Sequence, residues 1–189
     1  MVRELILASA SPRRAELLTS AGFQFTVEPA DVDESEHPGE PPEAYVLRVA
    51  RDRARAVAGR REMDGDTAVL AADTTVVAAG ELLAKPADEA DAVRMLTLLA
   101  GTVHDVFTGV VVVTAGREAA EVVRTRVRMS MTPAEIAWYV ASGEAMGKAG
   151  AYGIQGRAAR FIDWIEGSWS NVVGLPVATV DRLLKELGA

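Results

Sequence analysis

Residues 67–79 read Thr-Ala-Val-Leu-Ala-Ala-Asp-Thr-Thr-Val-Val-Ala-Ala, an apolar and β-branched run suited to the middle of a sheet. A central strand needs partners, and the segments around it supply them. Glu4 to Ser9 reads as a short buried strand, Pro12 to Ala21 as a helix ended by Gly22, and Phe23 to Glu28 as a second strand. Pro29 to Pro42 is a polar loop rich in acids, and a long helix runs from Pro42 to about Arg61. Beyond the central run, Asp88 is placed to cap a helix that reaches Ala100, with Gly101 just past its end. Val103 to Ala115 and Glu118 to Met131 read as a hairpin turning at Gly116. Thr132-Pro133-Ala134-Glu135 is a capping box with proline at the first helical position, opening a helix to about Ser142. A glycine-rich irregular stretch follows to Arg160, then a strand from Phe161 to Glu166 and a closing helix from Val172 to Leu187. Strands alternate with helices, but a hairpin interrupts them. The expected fold is therefore α/β with a mixed sheet and flanking helices.

With 189 residues, 49% of them hydrophobic, the chain is long enough for one domain or for two small lobes. Its net charge of -7 argues against binding a nucleic-acid polymer, which calls for clustered positive charge. A small anion needs only a local basic pocket. The absence of cysteine excludes a disulfide framework, a thiolate nucleophile and a cysteine zinc site. Only His37 and His104 are histidines, so any metal leans on carboxylate oxygens, which suit magnesium or manganese. His37 lies in the acidic loop, and His104 begins a strand, where a hydrogen-bonded structural role is expected. The apolar run before Ala8-Ser9-Ala10 is too short for a signal peptide, and no window has the length of a membrane span. A cytoplasmic location without membrane contact is the expectation.

Five segments carry chemistry. In Ser9-Ala10-Ser11-Pro12-Arg13-Arg14 a strand ends where a helix begins, with Ser11 able to cap it. Two arginines in a first turn oppose the helix dipole unless an anion compensates. Hydroxyls, free amides and guanidiniums together suit a phosphate. A capped helix with solvated arginines fits the same residues. In the long helix, ~100° per residue sets Arg53 on the apolar stripe with Val46, Ala50 and Val57. From there it snorkels to water or reaches an anion. Asp73 closes the apolar half of the central strand, where a carboxylate can hold a metal, take a proton from water, or simply cap a turn. Lys85 and Lys148, two of only three lysines, sit among glycines and prolines. In Gly147–Gly156 the glycines permit close approach of backbone to ligand, and Gln155 offers an amide able to read a base edge. No P-loop and no G-x-G-x-x-G is present.

In order along the chain, Ser9-x-Ser11-Pro12-Arg13-Arg14, Asp33-Glu34, Ala72-Asp73-Thr74, Lys85-Pro86, Lys148-Ala149-Gly150-Ala151-Tyr152-x-Ile154-Gln155-Gly156 and Asn171-Val172-Val173-Gly174-Leu175-Pro176 resemble the Maf family. Each motif alone is weak; the ordered set, nearly end to end, is specific. The resemblance implies a fold related to inosine triphosphate pyrophosphatases, with two lobes around a cleft in a single Maf-like domain spanning residues 1–189. It implies hydrolysis of a nucleoside triphosphate to the monophosphate and pyrophosphate with Mg²⁺ or Mn²⁺. Residues matching Ser9, Arg13, Arg14 and Lys85 grip the triphosphate, and Glu34 and Asp73 match the positions for metal binding and water activation. Gln155 matches a position near the nucleotide. Arg53 stands where the family usually has lysine, which keeps the charge and changes the geometry. Threonine after the aspartate, as in Asp73-Thr74, resembles the branch acting on dTTP and UTP, whereas the branch acting on 7-methyl-GTP usually has glutamine there. A nucleotide-sensing regulatory module linked to septum formation, or a nucleotidyl- or phosphotransferase, would use the same pocket. Homodimerisation is left open.

Overall fold

The computed structural model describes residues 4–188. It divides into two compact units. The first comprises residues up to Asp73, Thr108–Val123 and the segment from Gly174 onward; the second comprises Thr74–Phe107 and Arg124–Val173. Parallel and antiparallel strand pairs both occur, so the sheet is mixed and flanked by helices, as expected.

In the first unit, β1 (Glu4–Leu7) lies parallel to β2 (Thr26–Val27) and to the leading half of β3 (Thr67–Ala78), with Ile6 opposite Thr26 and Val69. Parts of β5 (Val103–Thr114) and β6 (Arg117–Met129) extend this sheet, joined through Gly116 at φ 73. Side chains alternate between two apolar layers, as the two-residue period of a strand requires. Leu5, Leu7, Ala68, Leu70 and Ala72 pack with Leu18 of α1 (Pro12–Ser20) and with Val180, Leu183 and Leu184 of α6 (Val177–Glu186). Ile6, Ala8, Val69 and Ala71 pack with Ala50, Ala54 and Val57 of α2 (Pro42–Ala58). Both faces of β1 and β3 are thus buried, the usual state of parallel strands. Gly109 on β5 lets α2 approach closely, since a Cβ there would lie 2.5 Å from the Val46 carbonyl oxygen.

In the second unit, β4 (Glu81–Leu83) runs antiparallel to the end of β3, and β7 (Ile162–Glu166) runs antiparallel to the end of β6. Leu96 and Leu99 of α3 (Glu89–Leu99) and Ile136 and Tyr139 of α4 (Pro133–Ala141) cover Val76, Leu83, Val127 and Met129. Along β6 the buried Thr125, Val127 and Met129 alternate with exposed Arg124, Arg126 and Arg128. These arginines pair with Asp105, Glu166 and Asp163 in turn, so this end of the sheet presents a solvated, charge-paired face. A short helix α5 (Trp169–Val173) completes the unit. No helix among the described residues is long and apolar enough to cross a membrane.

Several expected boundaries move. The strand expected over residues 23–28 reduces to Thr26–Val27, because Phe23 and Phe25 pack against the α1–α6 layer instead of extending the ladder. β4 has no forecast: it follows a two-residue turn in which Ala79 (φ 50) and Gly80 (φ 79) both take positive φ, a conformation alanine does not advertise. The closing helix expected from Val172 to Leu187 is broken into α5 and α6 by Gly174 at φ 127 and by Pro176. The expected caps on α3 and α4 are present: Asp88 accepts from the Asp91 amide, and Thr132 and Glu135 close their capping box.

Candidate functional site

The first unit assembles Ser9, Arg14, Glu34, Arg53 and Asp73 from four separate segments. The strand period does the first part of this. Asp73 follows Val69 and Ala71 on the β3 face that meets α2, and Arg53 lies on the α2 stripe turned toward that face. Arg53 is 9% exposed and Asp73 8%. Arg53 Nη1 donates to Asp73 Oδ1 at 2.8 Å and to the Ala72 carbonyl at 2.7 Å, while Nη2 donates to Glu34 Oε1. One guanidinium therefore spans two carboxylates and leaves the second oxygen of each outside the pair. Arg53 does not snorkel to water: its guanidinium ends on carboxylates of the chain itself, an arrangement that neither alternative, water or a pocket holding an anion, named.

The electrostatics follow from this sharing. Burial opposes the charge on Arg53, but Asp73 and Glu34 outweigh it and hold the guanidinium above its ordinary value. Burial, together with repulsion from Glu34, pushes the Asp73 carboxyl above the usual carboxylate range against the pull of Arg53 and Arg14.

At the start of α1, Ser9 rather than Ser11 organises the turn. Ser11 has the backbone conformation of an N-cap but makes no side-chain capping bond; its amide donates to Ser9 Oγ at 3.2 Å. Arg14 Nη1 donates to the same oxygen at 3.0 Å, and its Nε donates to the Gly174 carbonyl at 2.8 Å. Burial pushes the Arg14 guanidinium down to about 10, although Asp73 pulls it the other way. The first turn of α1 holds no acidic residue, and Arg13 is half-buried there. Positive charge thus accumulates at the helix end that itself attracts anions.

Two residues that the sequence reading passed over hold the acidic loop. The buried Tyr45 donates its hydroxyl to the Glu34 carbonyl at 3.0 Å, and burial beside Asp73 and Glu34 pushes that hydroxyl up to about 12. Arg48 grips Glu40 through Nε (2.7 Å) and Nη2 (2.8 Å) and donates to the Ser35 carbonyl, holding the Glu40 carboxyl down at about 2. Asp33 accepts from the Ser35 amide and hydroxyl, turning the chain at Glu34. The signal for this clasp was a basic helix directly after an acidic loop, with Tyr45 and Arg48 about one turn apart near its start.

The remaining expected residues lie in the second unit. Thr74 is half-buried and follows Asp73 directly on β3. Lys85 is exposed, next to Ala84, whose carbonyl accepts from the Gly150 amide at 3.2 Å. Gln155 is exposed in the glycine-rich stretch. His104 meets its structural expectation, with Nε2 2.8 Å from the buried Tyr152 hydroxyl.

A family model described as Maf-like protein matches residues 4–187. This chain belongs to the Maf family. Its relatives in that family include a protein named dTTP/UTP pyrophosphatase from Anaeromyxobacter sp. (strain Fw109-5), 55% identical over 194 residues, which covers 100% of this chain and 91% of the relative. Proteins of the same name from Myxococcus xanthus (strain DK1622) and Koribacter versatilis (strain Ellin345) are 52% and 51% identical, covering 97% of this chain and 92% and 94% of their own lengths.

Proposed function

We propose that this Maf protein is a cytoplasmic hydrolase that cleaves dTTP and UTP between the α and β phosphates, releasing the monophosphate and pyrophosphate. The observation that carries the reading is the buried Asp73 carboxylate, shared with Glu34 on Arg53 and adjoining an arginine-bearing helix N-terminus, in a chain whose relatives bear that name. A carboxylate this buried, with its proton affinity raised, is suited to take a proton from water. Water attacks the α phosphorus, the bond from that phosphorus to the bridging oxygen breaks, and the water proton passes to Asp73. Arg13, Arg14 and the amides of the first α1 turn offset the charge on the departing pyrophosphate. Ser9 orients Arg14 for that task through the 3.0 Å bond. Lys85, Thr74 and Gln155 enter this reading through the family resemblance, and Lys85→Ala and Gln155→Ala test them directly.

Magnesium or manganese is part of the proposal. Among the described residues no group of three or more His, Cys, Asp or Glu could hold a metal ion. Two carboxylates, each with one oxygen outside the Arg53 pair, still fit a magnesium-type ion, which keeps several waters and takes phosphate oxygens as ligands. Asp73 and Glu34 would hold it. When bound there, the ion would supply positive charge to the phosphate oxygens.

The test is pyrophosphate release measured against inorganic phosphate, with Mg²⁺ or Mn²⁺, over dTTP, UTP, CTP, ATP, GTP and 7-methyl-GTP. Pyrophosphate from dTTP and UTP, abolished by chelator, is the expected result. Inorganic phosphate alone would move cleavage to the γ phosphate, and preference for 7-methyl-GTP would overturn the branch assignment. No turnover by folded protein would remove the hydrolase reading altogether.

A further inference from the structure

The glycine-rich stretch after α4 is held by a side-chain pair that the proposed chemistry does not use. Tyr139 is fully buried on α4 and donates its hydroxyl to Glu144 Oε1 at 3.3 Å. The same hydroxyl accepts from the Gly153 amide at 3.3 Å. The Glu144 carboxylate accepts from the Arg157 amide through Oε1 at 2.9 Å and Oε2 at 3.1 Å. The amides two residues before and two residues after Gln155 are therefore tied to one Tyr–Glu couple. The Gly156 amide closes the turn on the Gly153 carbonyl at 3.1 Å. Glycine at 156 is obligatory for this arrangement, because a Cβ there would lie 1.9 Å from Glu144 Oε1. Lys148 donates to the Glu144 carbonyl, and its stem covers Gly153.

Such firm holding of a turn with an exposed amide at its centre has a chemical use. A glutamine side chain carries one acceptor and one donor group at nearly identical positions, so a half-turn exchanges them. The pairing edge of thymine or uracil offers the O4 acceptor beside an N–H donor; that of cytosine offers the N4 donor beside an acceptor nitrogen. An amide free to flip pairs with either. Discrimination requires the amide to be held one way, and a fixed backbone is the first condition for that. Gln155 Oε1 already lies over Gly153, 3.9 Å from where a Cβ would stand. We propose that Glu144, acting with Tyr139, is a positioning residue that fixes the turn carrying Gln155 and so sets the preference for nucleotides with a thymine or uracil edge over a cytosine edge. The proposal rests on the pyrophosphatase reading above.

The experiment compares kcat/KM for dTTP with that for CTP in the wild-type chain and in Glu144→Ala, Glu144→Gln, Tyr139→Phe, Gln155→Ala and the Glu144→Ala/Gln155→Ala double variant. Amide exchange at Gly153 and Arg157 is followed in the nucleotide-free proteins. The expected wild-type ratio strongly favours dTTP. Loss of one specific hydrogen-bonding geometry lowers that ratio about tenfold in Glu144→Ala and in Gln155→Ala, and the double variant falls no further than Gln155→Ala. Glu144→Gln keeps an acceptor for the Arg157 amide and restores most of the ratio. Exchange at Gly153 and Arg157 quickens in Glu144→Ala. Should that variant not fold, Tyr139→Phe removes a single oxygen and carries the same expectation for the ratio and for exchange at Gly153. An unchanged ratio, a uniform fall for both nucleotides, additive losses in the double variant, or a wild-type ratio near one overturns the proposal while the pyrophosphatase reading stands. A wild-type chain that releases no pyrophosphate removes both.

Discussion

Replacing Asp73 by asparagine separates charge from shape at the centre of the site. Asparagine fills the same space and still offers Oδ1 to Arg53 Nη1, now 2.8 Å from the carboxylate. What disappears is the negative charge. For stability two terms oppose one another. Arg53 and Arg14 lose an attractive partner, but a carboxylate only 8% exposed no longer has to be kept ionised in the interior. Burial and repulsion from Glu34 together outweigh both arginines at Asp73, and Arg53 retains Glu34 and the Ala72 carbonyl. The unfolding free energy of Asp73→Asn is therefore expected within about 1 kcal/mol of wild type. Asp73→Ala also removes the acceptor and leaves part of a buried guanidinium unsatisfied, with a loss of about 1–3 kcal/mol. For catalysis the order reverses. A lost base typically lowers the rate ~10²–10⁴-fold, which at 1.36 kcal/mol per factor of ten is about 3–5 kcal/mol of barrier. Pyrophosphate release from dTTP at saturation, beside urea unfolding followed by circular dichroism, reads both quantities. Turnover within about fivefold of wild type in folded Asp73→Asn would refute the role of the carboxylate. A stability loss in Asp73→Asn equal to that of Asp73→Ala would refute the account of its burial.

Other outcomes follow from single contacts. Gly109→Ala forces a Cβ to within 2.5 Å of the Val46 carbonyl and 2.8 Å of the Leu47 nitrogen, so α2 must shift and take Arg53 with it; a loss of about 3 kcal/mol in urea unfolding and a fall in activity are expected. Tyr45→Phe keeps the ring and removes the bond to the Glu34 carbonyl, so stability falls by about 1 kcal/mol. The Mg²⁺ or Mn²⁺ concentration for half-maximal turnover should rise in the same variant; an unchanged metal titration would separate Tyr45 from the metal site. Burial pushes His104 down from 6.5 to about 4, so the unfolded chain takes up its proton first as pH falls. The stability this group contributes is complete above about 6.5 and is lost between there and about 4, amounting to about 3 kcal/mol, and His104→Gln should abolish that part of the pH dependence of urea unfolding.

Much of the fold was legible because its signals are local. β3 announces itself by β-branched density, α3 and α4 by side-chain caps that the structure shows closed, and α2 by a stripe at helical spacing. What escaped depends on backbone freedom or on distant partners. β4 requires Ala79 at positive φ, and α5 and α6 separate at a glycine whose conformation no neighbour dictates. At the site, the stripe put Arg53 on the buried face, but nothing local says that its partners are Glu34 and Asp73, nineteen and twenty positions away. In the same way Ser11 had the better capping sequence, yet Ser9 took both the amide and Arg14, because a contact between β1 and α1 outweighs a local preference. Tyr45 and Arg48 were readable only as part of a helix until the loop they hold was in place.

The central strand has apolar side chains on both of its faces along residues 68–72. Hydrophobic pattern therefore gives that stretch little sense of which way up it lies. A slip of one position exchanges Ala for Val or Leu for Ala and leaves the interior nearly as oily as before. It would also point Asp73 toward α1 and α6, away from Arg53, the guanidinium to which it is hydrogen-bonded. The Arg53–Asp73 bond thus acts as the index mark of the sheet. In a lineage of such chains, a single-codon insertion or deletion ahead of Asp73 should be far rarer than substitutions among Ala, Val and Leu in the same strand.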